Sequence, residues 1–337
     1  MRMILGLAAC VVVALAGALA FSPRSAPSLR PTDVPVERMR IDGIKSTAAG
    51  LVLAGELGQI RFSTDQGVSW HAASVTPQRQ ALITRLVFAD ARQGLALGHE
   101  GWILRSTDGG RNWREAAFTD SDGQPLMDAA RLPSGDWLAV GAFGRVLRSG
   151  DGGKTWASQS IGAPGDWHLN AIAASPDRLQ WLIVGEAGSL LRSTDGGGHW
   201  QLIEPFYSGS LYGAVGLGGD IWVAYGMRGQ VFRSSDGGEH WSPVRLPLSE
   251  SLYAGALAPD GTLLLAGQGG VVLGSRDGGL SFQVLRDGGQ ENLTDLLVDS
   301  AGALLLASDA GLRRLPLPSR TQAASGTTAS TSSQEIR

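Results

Sequence analysis

The sequence is nearly empty of cysteine. Cys10 is the only one in 337 residues, so no disulfide can form within the chain, and removing the first 20 residues would also remove the only thiol nucleophile. Stability must then come from packing. Histidine is scarce too: His71, His99, His168, His199 and His240 form no group with metal-ligand spacing. No Gly-x-Ser-x-Gly elbow follows a strand and opens a helix, which excludes one common hydrolase design. Charged residues make up 18% and the formal net charge is −3, so the concentrated basic surface that nucleic acid requires is missing. A helical pattern is absent as well, because glycine interrupts the apolar runs about every ten residues, at a cost of about 1 kcal/mol per helical position. What the chain does contain is 48 glycines and 43% hydrophobic residues. That combination describes many short strands joined by tight turns around a real core. No cofactor and no metal are expected.

The ends differ from the middle. Met1-Arg2-Met3 is a short basic stretch, Ile4 to Ala20 is apolar throughout, and Ala18-Leu19-Ala20 has the small-x-small form of a cleavage site. Residues 1–20 are therefore expected to be a signal peptide cleaved near Ala20, giving a periplasmic or exported protein. An uncleaved membrane anchor is the alternative, since the run sits at the short edge of a bilayer span of about 17–25 residues. Leu7-Ala8-Ala9-Cys10 mimics a lipid-attachment box, but its cysteine comes too early in the apolar run. Residues 21–32 read as a linker. Residues 319–337, SRTQAASGTTASTSSQEIR, have almost nothing to bury and read as a disordered tail.

Between them one phrase recurs six times: STDQGVSW at Ser63, STDGGRNW at Ser106, SGDGGKTW at Ser149, STDGGGHW at Ser193, SSDGGEHW at Ser234 and SRDGGLSF at Ser275. Its aspartates, Asp65, Asp108, Asp151, Asp195, Asp236 and Asp277, are separated by 43, 43, 44, 41 and 41 residues. So even a period means one supersecondary unit stacked on itself. Within the unit from Leu82 to Phe118, LITRLVFAD, QGLALGHEG, WILRSTDGG and NWREAAF read as four successive strands. Four strands in about 40 residues is the blade of a β-propeller. A seventh unit, Asn292 to Leu315, has three strands and no phrase. The expectation is an all-β, seven-bladed propeller of four-stranded blades over residues 33–318, with Asp33 to Arg40 supplying the missing strand of the last blade and so closing the ring. A monomer is expected.

In each phrase the third strand must reverse into the fourth. Glycine supplies positive φ, Asp folds back onto backbone N–H groups of its own turn, Ser joins the same local network, and Trp covers the blade edge. A calcium loop would need further oxygen side chains where the Gly-Gly pairs stand. The six aspartates are thus structural. Arg105, Arg148, Arg192 and Arg233, one residue before the serines, are expected to form scaffold ion pairs. The pattern Ser-x-Asp-x-Gly-x-x-Trp resembles the Asp box of sialidase-type and bacterial-neuraminidase-repeat propellers. Its longer form, as in GHEGWILRSTDGGRNW from Gly98 to Trp113, resembles more closely the photosystem II stability/assembly-factor family and its relatives in non-photosynthetic bacteria. That resemblance covers nearly all of the chain after residue 20. It implies a seven-bladed propeller acting as a non-catalytic assembly or binding factor. Nothing in the sequence indicates a photosynthetic host, so binding to a photosystem is not carried over.

The phrases occupy one face of such a propeller. The other face carries the turns between second and third strands, which place Glu56, His99, Glu100, Phe143, Glu186 and Arg228 there. Blade-to-blade loops add Trp167, His168, Phe206 and Tyr207. First strands add Arg85, Asp128, Tyr212, Tyr253 and Asp295 at the channel mouth. Aromatic residues and arginine are the usual anchors of interfaces, so this face is expected to bind a protein partner, such as a membrane-associated envelope complex. A sialidase-like glycoside hydrolase is the competing reading. It would need two placed carboxylates, for which Glu56, Glu100 and Glu186 are the candidates, or a Tyr–Glu pair with an arginine cluster. The sialidase Arg-Ile-Pro element is absent, with RLP at Arg131 and Arg314 the nearest text, and only four tyrosines exist.

Overall fold

The computed structural model describes residues 6, 11–18, 32–118, 123–163 and 167–316. The chain divides into two units, Met1–Val34 and Pro35–Arg337. In the first, residues 11–18 are helical. Among the described residues no helix is long and apolar enough to cross a membrane. The cleavage point at Ala20, nearly all of the 21–32 linker and the 319–337 tail lie outside the described residues.

The second unit contains seven antiparallel sheets in chain order, the expected seven blades. Their first strands are Ile41–Thr47, Ile83–Phe88, Leu126–Arg131, Leu169–Ala174, Leu211–Gly218, Leu252–Leu257 and Leu293–Val298. The second strand of each blade is its most apolar and is buried on both sides, as in Trp181–Gly185 and Leu263–Gly267. That is why it reads as an unbroken hydrophobic run rather than an alternating one. The fourth strand is only His71–Ala72 in blade 1 and Gln201–Leu202 in blade 4, both facing solvent, and is longest in blade 2, Asn112–Ala117. Adjacent blades pack sheet on sheet. Val52, Ala54 and Ile60 of blade 1 interdigitate with Ile83, Leu86, Trp102 and Trp113 of blade 2, and the same contact recurs between blades 6 and 7 through Ala254, Leu264, Leu296 and Leu306.

Two details differ from expectation. Blade 7 has three strands, Leu293–Val298, Ala303–Ser308 and Gly311–Pro316. Asp33 to Arg40 does not complete it: residues 36–38 form a turn in which the Pro35 carbonyl accepts the N–H groups of both Arg38 and Met39, each at 2.9 Å. Pro35 has no N–H to offer a ladder, and Val36 and Met39 are buried as plugs rather than alternating along an edge. The ring closes instead through side chains on first strands. Asp295 of blade 7 accepts the Ile44 N–H at 3.0 Å and pairs with Lys45 at 2.5 Å, and the Thr294 hydroxyl donates to the Ile41 carbonyl. Second, blade 2 has an extra strand. Ser74–Thr76, in the link from blade 1, pairs parallel with Asn112, Trp113 and Arg114.

The repeated phrase forms the expected joint. In blade 2 the Ser106 hydroxyl donates to Asp108 Oδ1 at 2.9 Å and accepts the Gly110 N–H at 3.0 Å. Asp108 Oδ1 accepts the N–H groups of Arg111 and Asn112, and Oδ2 accepts from the Asn112 side chain at 2.6 Å. Gly109 and Gly110 have φ of 81° and 97°, the left-handed region that a side chain would resist. Trp113 is buried and its indole N–H donates to the Gly110 carbonyl at 2.8 Å. The residue before each Trp completes the cap on Oδ2: Ser69, Thr155, His199, His240 and Ser281 do what Asn112 does here. These bonds favour the ionised carboxylate. The Ser69 side chain leads in holding Asp65 well below the usual carboxylate range. Burial works against ionisation at Asp277, yet the bonds from Ser281 and Ser275 still bring it down to about 2.

The arginine expectation needs correcting. Arg105, Arg192 and Arg233 donate to the carbonyls of Gly152, Gly237 and Gly278, each inside the next blade's phrase. They tie joint to joint, through an acceptor that carries no charge and so leaves no trace in a search for acidic partners. Arg148 alone of the four makes an ion pair, with Asp136 at 2.6 Å.

Candidate functional site

The face opposite the joints has its own regularity, and it is one of backbone. In all seven blades the pairing of first and second strands is interrupted after the first residue by a one-residue β-bulge. A bulge leaves one residue outside the ladder and re-aims its side chain. The extra residues are Asp42, Thr84 and Met127 in blades 1 to 3, Asn170 in blade 4, Tyr212 and Tyr253 in blades 5 and 6, and Thr294 in blade 7. All seven line one funnel of about 500 Å3 at the mouth of the central channel, together with Arg40, Arg85, His99, Asn292 and Asp309 among others. Three of them also stitch blades together. Thr84 donates to the Leu126 carbonyl at 2.5 Å, Asn170 to the Leu211 carbonyl at 2.8 Å, and Thr294 to Ile41 as described above.

The funnel is asymmetric. Tyr212 and Tyr253 lie side by side, ring centroids 5.4 Å apart and tilted by 51°. Past Thr294 come Asp309, which accepts from the Asn292 backbone and side chain at 2.9 and 2.7 Å, and Asp42, gripped by the Arg40 guanidinium at 3.0 Å. Burial pushes the Asp42 carboxyl up, with Arg40 opposing. Blades 2 to 4 contribute the neutral Thr84, Met127 and Asn170.

Arg85, Asp128 and Asp295, each one residue past a bulge, belong to a second tier whose charge is neutralised in pairs. Arg85 meets Asp128 at 3.1 Å and Lys45 meets Asp295 at 2.5 Å. Asp128 also accepts the N–H of Ala129 and, in the next blade, of Ile172. The Asp128 charge raises the Arg85 pKa far above its ordinary value. Burial works to raise Asp295, but the charges of Lys45 and Arg85 hold it below the usual range. Tyr225 fills the neighbouring space. A Cβ on Gly213 would lie 2.2 Å from its hydroxyl oxygen and one on Gly255 2.7 Å from its ring, so those first strands carry glycine where a second-strand tyrosine leans in.

Of the residues expected on this face, the structure brings Arg85, His99, Tyr212 and Tyr253 into the funnel. Asp128 lies beneath it, buried against Arg85. The expectation had placed Arg85, Asp128, Asp295 and the two tyrosines at one level; the bulge separates them by one residue into two tiers. Glu56, Glu100 and Glu186 do not line the funnel. Glu56 accepts the Arg40 N–H at 2.8 Å and Glu186 the His168 N–H at 2.9 Å, so both cap backbone, and no pair of glutamates faces across the mouth. Phe206 stacks on Trp241 at 5.4 Å and Tyr207 tilts against Phe232 at 5.2 Å. Both complete the apolar packing between blades 4 and 5, where a link must cover the gap the short outer strands leave. Phe143 and Trp167 stay 53% and 37% exposed, with Phe143 edge-on to His168 at 4.8 Å. Sequence reasoning missed Asp42, Thr84, Met127, Asn170 and Thr294. The available signal was their common position, one residue after the Ile or Leu that opens each first strand.

The rim carries a further signature. Leu57, Glu100, Phe143, Ala187 and Arg228 occupy the middle of the same three-residue turn in blades 1 to 5, all with φ between 51° and 59°. Blade 6 has Gly269 there. Five blades keep a side chain at a position glycine would fill without strain. Among the described residues no group of three or more His, Cys, Asp or Glu side chains is placed to hold a metal.

Fold and site together define a seven-bladed β-propeller with a channel-mouth funnel. The family model described as photosynthesis system II assembly factor YCF48 matches residues 111–245. A solved structure of YCF48 bound to a D1 peptide is 18% identical with a TM-score of 0.64, covering 88% of this chain and 100% of that one. YCF48 from Cyanidioschyzon merolae is 16% identical with a TM-score of 0.65, covering 84% and 97%. A streptogramin B lyase is 15% identical with a TM-score of 0.69, covering 85% and 96%. No curated protein matches. In repeat and in fold this chain is similar to the YCF48-like, BNR-type propellers.

Proposed function

We propose that this protein is an exported, non-catalytic propeller that binds a protein partner in its channel-mouth funnel and serves as an assembly or stability factor for a membrane-associated envelope complex. The observation that carries the reading is the ring of bulges. Seven equivalent backbone devices point seven side chains of five residue types into one opening, whereas the opposite face repeats the same residues blade after blade. Repetition maintains a scaffold; variation at a position the fold holds constant is how a symmetric frame acquires an asymmetric binding surface. The aromatic pair and the mixed polar groups suit a peptide segment. The solved YCF48 of the same fold holds a D1 peptide, and export of the present chain rests on its first 20 residues.

The test is site-directed photo-crosslinking in the native host. Benzoylphenylalanine in place of Tyr212 should trap one membrane-associated partner, and the same probe in place of His199, on the joint face, should not. Equal yields from the two positions, or none from Tyr212, would sink the proposal. N-terminal sequencing of the purified protein reads whether cleavage falls near Ala20.

A further inference from the structure

The charges of the funnel are unevenly committed. The lysine and arginines of the funnel and of the tier beneath it are engaged: Arg40 grips Asp42, Arg85 is bound to Asp128, and Lys45 to Asp295. Asp309, by contrast, spends its hydrogen bonds on Asn292 and feels Arg40 only through space. Glu186, outside the funnel lining, caps the His168 N–H and reaches Tyr212 only through space. The uncommitted charge is therefore anionic, and it opens on the same funnel as the half-buried rings of Tyr212 and Tyr253. Blades 5, 6, 7 and 1 form one continuous arc of Tyr212, Tyr253, Thr294 and Asp42, with Asp309 at its edge. Aromatic faces attract cations through their quadrupole, and a partly desolvated carboxylate strengthens that attraction. Burial, with Tyr253, Tyr207 and Glu186 nearby, also raises the Tyr212 pKa, so its phenol stays neutral. Arg228 stands on the rim at the tip of a turn, outside the funnel lining.

From this arc we infer that the funnel receives a basic side chain, the ammonium or guanidinium of a lysine or arginine in a partner segment, seated on Tyr212 and Tyr253 and facing Asp309. This rests on the reading of the funnel as the partner site and adds the chemistry of the occupant. A cation held this way gains about 0.5–2 kcal/mol from the aromatic contact, which corresponds to roughly a 2- to 30-fold effect on affinity. The carboxylate part of the attraction weakens with salt.

The experiment is selection of a random twelve-residue phage-displayed peptide library against the immobilised full-length protein, followed by titration of the selected peptides. Enriched peptides should share a Lys or Arg. Changing that residue to Gln, or changing Tyr253→Ala in the protein, should each weaken binding about tenfold. Asp309→Asn should weaken it several-fold and reduce its salt dependence, and Tyr253→Phe should retain it. Thermal unfolding of each variant separates lost binding from lost fold. Peptides that lose binding in Tyr253→Ala yet carry no common basic residue, or share an acidic one, would overturn the inference and leave the funnel as the partner site. No enrichment, or binding indifferent to every funnel substitution, would overturn both.

Discussion

On one face of the propeller six turns carry the same Ser, Asp and Gly, and in each the Ser hydroxyl donates to Asp Oδ1. On the other face seven bulges share one backbone geometry and display Asp, Thr, Met, Asn, Tyr, Tyr and Thr side chains around one opening. The joint face is constant in side chain because each turn solves a local problem: reversing a strand while satisfying its own N–H groups. The funnel face is constant in backbone only. Its side chains meet one another across the ring, so each is set by its neighbours in space and by what enters the mouth. A residue's repetition is thus a guide to whether its role is local, and the difference between the faces can be tested directly.

The largest expected effect is on the joint face. Trp113→Ala removes a fully buried indole that packs edge-on to Phe88 and should destabilise the fold by about 3–5 kcal/mol, read as a shift in the denaturation midpoint. Ser106→Ala strands the buried Gly110 N–H, and a loss of about 1–3 kcal/mol is expected, with peptide binding by the still folded protein unchanged. Asp108→Ala should behave in the same way; an Asp108→Ala protein that is fully stable but fails to bind would break the comparison. The funnel should give the converse result. Tyr212→Ala or Tyr253→Ala should shift stability by no more than about 1 kcal/mol, while binding falls about tenfold.

Acid sharpens the same contrast. The folded pKa values of the joint aspartates lie below their unfolded value of about 3.9. Their contribution is complete above that value and is lost as pH falls through the folded value, about 2 for Asp277. The melting temperature should therefore drop between pH 4 and pH 2 on the order of what linkage predicts for several such groups, and Asp277→Asn should flatten part of that slope. A slope unchanged by Asp277→Asn would show that the acid sensitivity arises elsewhere. The smallest effect, of opposite sign, is expected at the rim. Ala187→Gly relieves a left-handed backbone at φ 51° and should raise stability by about 0.5 kcal/mol, the relief being partly offset by the greater freedom of glycine in the unfolded chain. A loss on that substitution would mean the turn is not strained.

The blade count, the strand order within a blade and the bond pattern of the joints were all legible in the one-dimensional text. The bonds of a joint link residues two to four apart, and the phrase that makes them recurs every 41 to 44 residues, so local spacing and period are sufficient. The face on which the funnel opens was legible too, because antiparallel strands put alternate turns on alternate faces. The closure was not. Asp33 to Arg40 is long enough for a strand, but whether it pairs depends on contacts with Gly311, on the far side of the chain, and Pro35 makes a turn the better use of its carbonyl. The tiers of the funnel were hidden for the same reason. A β-bulge arises from the register of two paired strands and is not written in either alone, and it moved Tyr212 and Tyr253 one level above Arg85 and Asp128. The sequence by itself determined a repeated frame, through local hydrogen bonding. Tertiary structure decided which side chains of that frame face one another, because residues such as Lys45 and Asp295, 250 positions apart, meet only when the ring closes.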